Sequence, residues 1–186
     1  DCGFPTCLAF AMKLAAKQVE LSACPHVSEE AKAQLAESAA PPIRLITLKS
    51  DGYEVKAGNE VVLFRHEKTF YNKPGLFVRV RDDQPPEEIK AQVSIADSYR
   101  VNYVGIDLGI DGFAVASTKG EAKTFAEAVS AVRQSTRRPL ILMTRAPEVA
   151  AAGLKALDGE NALLYGADAA NWEAMADLAK QAGASL

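Results

Sequence analysis

The sequence has 186 residues, 48% of them hydrophobic, which allows one good-sized domain or a small module attached to one. A net charge of −3 offers no basic surface for nucleic acid or for an anionic membrane. No apolar run is long enough to span a bilayer and no signal-peptide pattern is present, so a soluble, cytoplasmic protein is predicted.

The first segment carries all the cysteines of the chain. Cys2, Cys7 and Cys24 fall within the first 24 residues, and the rest of the sequence contains none. An odd number of cysteines in a chain of cytosolic character argues against a disulfide framework. Their clustering indicates shared chemistry.

The cysteine spacing, Cys2-x4-Cys7-x16-Cys24, is compatible with an iron–sulfur cluster, because thiolates are the soft ligands that hold its iron. Thr6 is predicted to cap a helix that begins at Cys7, where exposed N–H groups and the helix dipole favour a thiolate and an anionic cluster. On that helix Leu8, Ala11, Met12 and Ala15 form an apolar stripe, with Phe10 and Leu14 adjacent. These residues are expected to shield the cluster from water.

Two alternative roles for the cysteines stay open. The first is that all three are free structural cysteines, and the second is a zinc site in which His26 is the fourth ligand. Zinc sites typically use closely spaced ligand pairs, and the x4 and x16 intervals do not follow that pattern. A four-cysteine cluster, on the other hand, is one ligand short here.

The next segment, residues 43–65, predicts a small antiparallel β-meander. Its three apolar runs are IRLITL, YEVK and VVLFR, separated by turns at Ser50-Asp51-Gly52 and Gly58-Asn59. An Asp-Gly turn between short alternating runs is a strong hairpin signal.

From residue 75 onward, four strand–helix units follow one another. Their strands are predicted at 76–80, 103–108, 140–143 and 162–165. Their helices are predicted to begin at Pro85-Pro86, at a Thr124-x-x-Glu127 capping box, near Pro147 and at Asn171, with Gly183 ending the last one. Such units indicate a parallel sheet with right-handed crossovers.

This α/β pattern fits either an open doubly wound sheet or half of an eight-stranded barrel. The first strand is followed by Arg81-Asp82-Asp83-Gln84, which is not a Gly-rich phosphate loop. The half-barrel is favoured, and the end of the chain at Leu186, where a fifth strand is due, favours it further.

Specific stretches of the sequence resemble a known family. DCGFPTCLAFAMKLA and CPHVSEEAK are similar to the N-terminal cluster domain in the large (gamma) subunit of the corrinoid iron–sulfur protein, which belongs to the reductive acetyl-CoA pathway and its decarbonylase–synthase complex. The cysteine motif also occurs in subunits of membrane electron-transport complexes. The continuation distinguishes the two, because APPIRLITL, VVLFRHEKTFYN, RPLILMT and ALLYGADAANWEAMADLAK all resemble the large subunit.

The resemblance implies a ligand set and a domain organisation. The family motif is C-x2-C-x4-C-x16-C, and Cys2, Cys7 and Cys24 match its last three positions, so the first cysteine is expected two residues upstream of Asp1. Residues 1–42 would form a [4Fe–4S] cluster domain. Residues 43–186 would form the leading meander and the first half of a TIM (β/α)8 barrel. The corrinoid-binding domain would lie C-terminal to this sequence.

The resemblance also implies a function. Members of this family are methyl carriers that take a methyl group from a methyltetrahydropterin or folate through a methyltransferase and deliver it to acetyl-CoA synthase. The cluster is expected to serve reductive reactivation of the corrinoid from Co(II) to Co(I). The implied partners are a small subunit, the methyltransferase, acetyl-CoA synthase and a reductive activator. The alternative is an electron-transfer module of a redox complex unrelated to methyl transfer.

Several polar residues beyond the cysteine segment are further site candidates. His66 lies among charged residues but has no evident nucleophile or substrate, so a structural histidine is expected. Asp82, Asp107, Arg145 and Asp168 are predicted near the carboxyl ends of strands, where barrels place active sites. They are expected to be ordinary loop residues, since the resemblance assigns no catalytic residue to this segment.

Overall fold

The computed structural model describes residues 2–15, 18–19, 21–39 and 42–186. Its first part contains helix α1 (Cys7–Ala15), a 3-10 turn at Leu21–Ala23 and helix α2 (Glu29–Ala39). The predicted cap of α1 is confirmed, because Thr6 Oγ1 accepts a hydrogen bond from the backbone N–H of Ala9 at 3.1 Å.

The apolar residues of α1 divide between two sides of the helix. Phe10 is buried and packs edge-on against Phe4, with 5.5 Å between ring centroids. Leu8 and Met12, by contrast, are 72% and 68% exposed. The stripe that was expected to shield a cluster therefore faces outward in this chain.

A β-hairpin follows, formed by β1 (Ile46–Ser50) and β2 (Tyr53–Ala57) in antiparallel register. Its predicted turn is confirmed, with positive φ at Asp51 and Gly52. Two positive φ values match the twist of the flanking strands, which explains the Asp-Gly pair.

The predicted third strand of the meander is wrong. Residues 61–65 form no strand, and the chain returns to the hairpin only through an isolated bridge between Ile43 and Glu60. The Glu60 carboxylate accepts hydrogen bonds from the backbone N–H groups of Tyr71 and Asn72, at 2.6 and 3.1 Å. These bonds close 61–70 into a loop instead of extending it along β2.

The first strand–helix unit is β3 (Phe77–Arg81) and α3 (Pro86–Ser98), as predicted. After it comes an exposed antiparallel hairpin of β4 (Val101–Tyr103) and β5 (Ile106–Leu108). The prediction of a parallel strand at 103–108 is therefore wrong.

The remaining elements complete a four-stranded parallel sheet. They are β6 (Gly112–Ala116), α4 (Ala122–Ser135), β7 (Leu140–Met143), α5 (Pro147–Ala156), β8 (Leu163–Tyr165) and α6 (Trp172–Ala182). The sheet order is β3-β6-β7-β8, so its strands are neighbours in chain order.

The helix boundaries largely follow the sequence signals. The starts at Pro86 and Pro147 and the left-handed Gly183 at the end of α6 are confirmed. The capping box is wrong: α4 begins at Ala122, and the Thr124 hydroxyl, inside the helix, donates to Glu121 at 2.9 Å.

One face of the sheet forms the core with the helices. Val80, Val115, Leu142 and Leu164 lie in register across the four strands and are at most 2% exposed. Consecutive helices pack on one another, α3 on α4, α4 on α5 and α5 on α6, which places them on this one face.

The opposite face carries a different set of side chains in register. One row across the four strands is Arg79, Ala114, Ile141 and Leu163, and the next is Arg81, Ala116, Met143 and Tyr165. Beyond β8, Ser185 makes a parallel bridge with Leu163, next to the position where the fifth strand was expected. No helix in the described ranges is long and apolar enough to cross a membrane.

Candidate metal centre

The three cysteines are free thiols that solvent reaches to different degrees. Cys7 is the first residue of α1 and is exposed, whereas Cys2 and Cys24 are partly exposed. Cys24 follows the 3-10 turn, and its backbone N–H donates to the carbonyl of Leu21 at 3.0 Å. Local hydrogen bonds thus place two of the cysteines at ends of short helical elements.

The chemistry of these donors fits an iron–sulfur cluster. Three thiols without a disulfide partner form a soft ligand set, and Cys7 lies where the N–H groups of α1 and its dipole favour negative charge. Between residues 2 and 39, as in the rest of the described chain, no three His, Cys, Asp or Glu side chains converge as a metal site. Metal binding is coupled to the folding of the residues that act as ligands. Ligation of a cluster by Cys2, Cys7 and Cys24 stays a prediction.

A second group of polar residues meets at the carboxyl ends of the parallel strands. Asp82, directly after β3, is only 2% exposed. Its carboxylate accepts hydrogen bonds from the backbone N–H of Thr118 at 2.7 Å and from the hydroxyls of Thr118 and Ser117 at 2.5 and 3.2 Å. Asp82 therefore joins the loops that follow β3 and β6.

The electrostatics of Asp82 follow from these contacts. Burial by itself raises the pKa of the carboxyl group, because it disfavours the charged form. The hydrogen bonds from Thr118 and Ser117 stabilise the carboxylate and outweigh burial, so the pKa of Asp82 is lowered. The same hydrogen bonds hold the Asp82 carboxylate between the loops that follow β3 and β6.

The other residues predicted near strand ends lie in different surroundings. Arg145 and Asp168, after β7 and β8, approach within 4.0 Å at the same edge of the sheet as Asp82. Asn171 tightens this edge by donating to the carbonyls of Arg145 and Gly166, at 2.7 and 3.1 Å. Asp107 does not lie near the carboxyl end of a strand of the parallel sheet, as predicted, because it belongs to β5 of the antiparallel hairpin. There its carboxylate accepts a hydrogen bond from Asn102 Nδ2.

His66 lies in the loop after the first hairpin. Its ring stacks on that of Phe64, with 5.7 Å between centroids and 17° between planes. The structural role of His66 stays a prediction.

Arg138, at the amino end of β7, is a buried arginine whose burial the sequence pattern does not indicate. The side chain of Arg138 is 6% exposed; its Nε donates to Asp97 at 2.5 Å and its Nη1 to the carbonyl of Ile110 at 2.7 Å. Its Nη2 has no hydrogen-bond partner among the described residues. Arg138 precedes Pro139 in a polar stretch, so pattern alone predicts an exposed loop residue.

A second arginine supports the same region. Arg133 Nη2 donates to the Arg138 carbonyl at 3.1 Å and pairs with Glu160 at 3.0 Å, and Glu160 also accepts from the Ser50 hydroxyl at 3.3 Å. Burial lowers the pKa of Arg133, although Glu160 opposes this effect. These contacts attach the first hairpin to the amino end of the sheet.

In a comparison with known proteins, two family models match two different parts of the chain. A family model described as "CO dehydrogenase/acetyl-CoA synthase delta subunit" matches residues 45–186. A second model, described as "Putative Fe-S cluster", matches residues 1–26.

Individual relatives carry gamma or large-subunit names. The chain is 38% identical to the "Corrinoid/iron-sulfur protein large subunit" of Moorella thermoacetica over 97% of its length and 41% of the relative's. It is 38% identical to the "Acetyl-CoA decarbonylase/synthase complex subunit gamma" of Methanopyrus kandleri over 96% of its length and 38% of the relative's. With the Methanothermobacter thermautotrophicus gamma subunit it shares 33% identity over its whole length and 40% of the relative's.

The chain thus spans about two fifths of the length of the curated relatives it matches. The family model covers most of the chain, and the similarity to the named subunits extends through the cysteine segment. The chain belongs to the CO dehydrogenase/acetyl-CoA synthase delta-subunit family, as a relative of the corrinoid iron–sulfur protein large, or gamma, subunits.

Proposed function

We propose that residues 1–42 hold a [4Fe–4S] cluster through Cys2, Cys7, Cys24 and a cysteine two residues upstream of Asp1. The observation that carries the proposal is the coincidence of three free thiols with a segment that matches an iron–sulfur family model. When bound, the cluster supplies one-electron chemistry. The protein's own contribution is ligation by the thiolates and the favourable N-terminus of α1 at Cys7.

The polypeptide that contains this segment is proposed to act as a methyl carrier. It accepts a methyl group from a methyltetrahydropterin or folate through a methyltransferase and delivers it to acetyl-CoA synthase, with a corrinoid bound outside residues 1–186. The cluster segment serves reductive reactivation of that corrinoid from Co(II) to Co(I). The names of the relatives, which combine a corrinoid with iron and sulfur and mention an acetyl-CoA complex, support this assignment.

The four-stranded sheet is proposed to be half of a TIM-type barrel. In a barrel the strands follow one another in chain order with all helices outside, which agrees with the order β3-β6-β7-β8 and with helices packed on one face. A doubly wound sheet would instead reverse its strand order and place helices on both faces. In the proposed half-barrel, the row of side chains that contains Arg79 and Ala114 would face the barrel interior.

The proposed function can be tested by an experiment that measures the role of the cluster separately from methyl transfer. In the full-length protein with its small subunit, Cys7→Ala removes a proposed ligand at an exposed position. We expect this variant to accept a methyl group when Co(I) is generated by a strong chemical reductant, and to fail when reactivation depends on a physiological electron donor. Ser22→Ala, at an exposed position of the same segment, is the control and should behave as wild type.

Two results would contradict the proposal. Loss of methyl acceptance by Cys7→Ala even with preformed Co(I), and with normal corrinoid absorbance, would show that the cluster takes part in methyl transfer itself. Purified full-length protein that contains iron but no corrinoid would support the alternative, an electron-transfer module unrelated to methyl transfer.

A further inference from the structure

Phe10 forms a small core within the cysteine segment. Its side chain is 6% exposed, whereas every other residue between 2 and 34 whose burial the structure describes is partly or fully exposed. The ring of Phe10 packs on the ring of Phe4, with 5.5 Å between centroids and 69° between planes. Edge-to-face pairs of this kind are favourable beyond the apolar area that they bury.

The aromatic pair connects the loop between the first two cysteines to helix α1. We call residues 2–7 the cysteine loop. Phe4 lies inside this loop, and Gly3, with a φ of 79°, turns the backbone between Cys2 and Phe4. Phe10 follows Cys7 by three positions in α1, so these two residues lie on the same side of the helix. The contact therefore holds the middle of the cysteine loop against the side of α1 that carries Cys7.

The two sides of α1 differ in exposure. Leu14, seven positions after Cys7, shares a side with Cys7 and Phe10 and is only partly exposed. Met12 lies five positions after Cys7, about 140° around the helix axis, and is 68% exposed. The aromatic pair, rather than the outward stripe of Leu8 and Met12, is thus the apolar group on the side of Cys7.

We propose that Phe10, through its contact with Phe4, is a positioning residue for the cluster. It holds the cysteine loop in an arrangement in which Cys2 and Cys7 bind the same cluster, and the two rings exclude water from that side of the site. Neither ring binds iron. This inference rests on the proposed function, which supplies the cluster. Its physical basis is preorganisation, because a loop that is ordered before it binds loses less conformational freedom on binding.

Water exclusion has a consequence for the reduction potential. A reduced cluster carries one more negative charge than the oxidised cluster with the same four thiolates. An environment that excludes water disfavours the form with the greater charge, and solvent exposure is one of the factors that set cluster potentials. Loss of the aromatic pair should therefore favour the reduced cluster and give water and chelators easier access to iron.

The primary test replaces Phe4 in the full-length protein after anaerobic reconstitution with iron and sulfide. Phe4→Leu removes the ring but keeps an apolar side chain, and Phe4 is partly exposed, so Phe10 and the rest of α1 are left in place. At equal iron content, a redox titration followed by electron paramagnetic resonance should show the reduction equilibrium shifted toward the reduced cluster by roughly threefold or more. Iron loss to a chelator should accelerate by a similar factor.

Two variants of the same segment serve as controls. Phe4→Tyr keeps the ring, and its hydroxyl reaches water at this partly exposed position, so the reduction equilibrium and the rate of iron loss should stay as in wild type. Met12→Ala removes apolar surface from another side of α1 and should also leave both quantities unchanged.

A double-mutant cycle tests whether the rings act through their mutual contact. Phe10→Leu should shift the reduction equilibrium in the same direction as Phe4→Leu. The double variant should shift it no further than the larger single change, because either replacement already removes the pair. A purely structural role of Phe10 would lower the iron content or the Tm without moving the potential of the cluster that remains bound.

The contrary outcomes distinguish this inference from the proposed function. A wild-type potential and a wild-type rate of iron loss in Phe4→Leu would overturn the inference and leave the cluster assignment intact. Additive effects in the double variant, or equal effects of Phe4→Leu and Met12→Ala, would show that the contact between the rings is not the cause. Wild-type protein that binds no iron after reconstitution would overturn the proposed function as well.

Discussion

The guanidinium of Arg138 lies over the ring of Tyr53, with its central carbon 4.7 Å from the ring centroid. This contact joins the amino end of β7 to the start of β2 in the first hairpin. Arg138 also donates to Asp97 in α3, so one buried cation links three elements. The hairpin of β1 and β2 forms its own two-stranded sheet, and side chains such as these attach it to the parallel sheet.

Replacing Tyr53 should measure this attachment. Tyr53→Leu removes the aromatic face and should lower the free energy of unfolding of the full-length protein by about 0.5–2 kcal/mol. Tyr53→Phe keeps the ring and should cost much less. Urea unfolding followed by circular dichroism compares the two, and equal losses would show that the ring face does not matter.

Replacing Asp82 should reveal its lowered pKa. The folded-state pKa lies below the unfolded value of about 3.9, so the carboxylate stabilises the fold above that pH, and the contribution is lost as pH falls through the folded-state value. Asp82→Asn should therefore destabilise the protein by about 1–3 kcal/mol at pH 7, and by less in strong acid.

Unfolding by urea at pH 7, 5 and 3 measures this difference. Asp83→Asn, at the neighbouring position, is the control. A deficit of Asp82→Asn that is the same at every pH would show that its ionisation does not contribute.

Gly112 is expected to tolerate no side chain. A Cβ at this position would overlap the carbonyl oxygen of Pro139 and the ring of Phe77. Gly112→Ala should cost about 1–3 kcal/mol, because overpacking forces the strands to shift. Gly109→Ala is the control, since it would meet only the flexible side chain of Arg100. A thermal unfolding midpoint that is the same in both variants would contradict the close packing of β6.

The identity of the metal ligands can be tested by iron content. After anaerobic reconstitution of the full-length protein, Cys24→Ala should lose most of its iron, because a thiolate ligand is removed. His26→Ala should retain wild-type iron, since His26 is expected to be an ordinary exposed residue. Zinc in place of iron, or equal metal loss in both variants, would favour the zinc site in which His26 is a ligand.

The sequence predicted the regular part of the fold well, because the signals there are local. Pro86 and Pro147 begin helices, Gly183 ends one with left-handed backbone, and Asp51-Gly52 forms the turn of a hairpin. Proline fixes its own φ and lacks an N–H donor, and glycine readily adopts the positive φ that most residues avoid, so each acts in the same way whatever surrounds it.

The predictions of strands were wrong where one hydrophobic pattern is compatible with two different structural environments. Residues 101–108 alternate in a way that suits a strand, and only the fold shows that they form an exposed hairpin while 112–116 enters the parallel sheet. In the same way 61–65 is apolar enough for a strand but is held in a loop by Glu60. Periodicity specifies which side chains share a face, and it does not specify what covers that face.

By itself the sequence determined the cysteine spacing, the alternation of strands and helices and the family, because these depend on residue identity and local order. Only the tertiary structure decided that Arg138 is buried against Tyr53 and Asp97, that Asp82 is held by Ser117 and Thr118, and that β4 and β5 are exposed within the described part of the chain. Burial and hydrogen bonding of Asp82 and Arg138 depend on segments 28 or more positions away in the chain, and such pairings arise only when the sheet and its helices pack together.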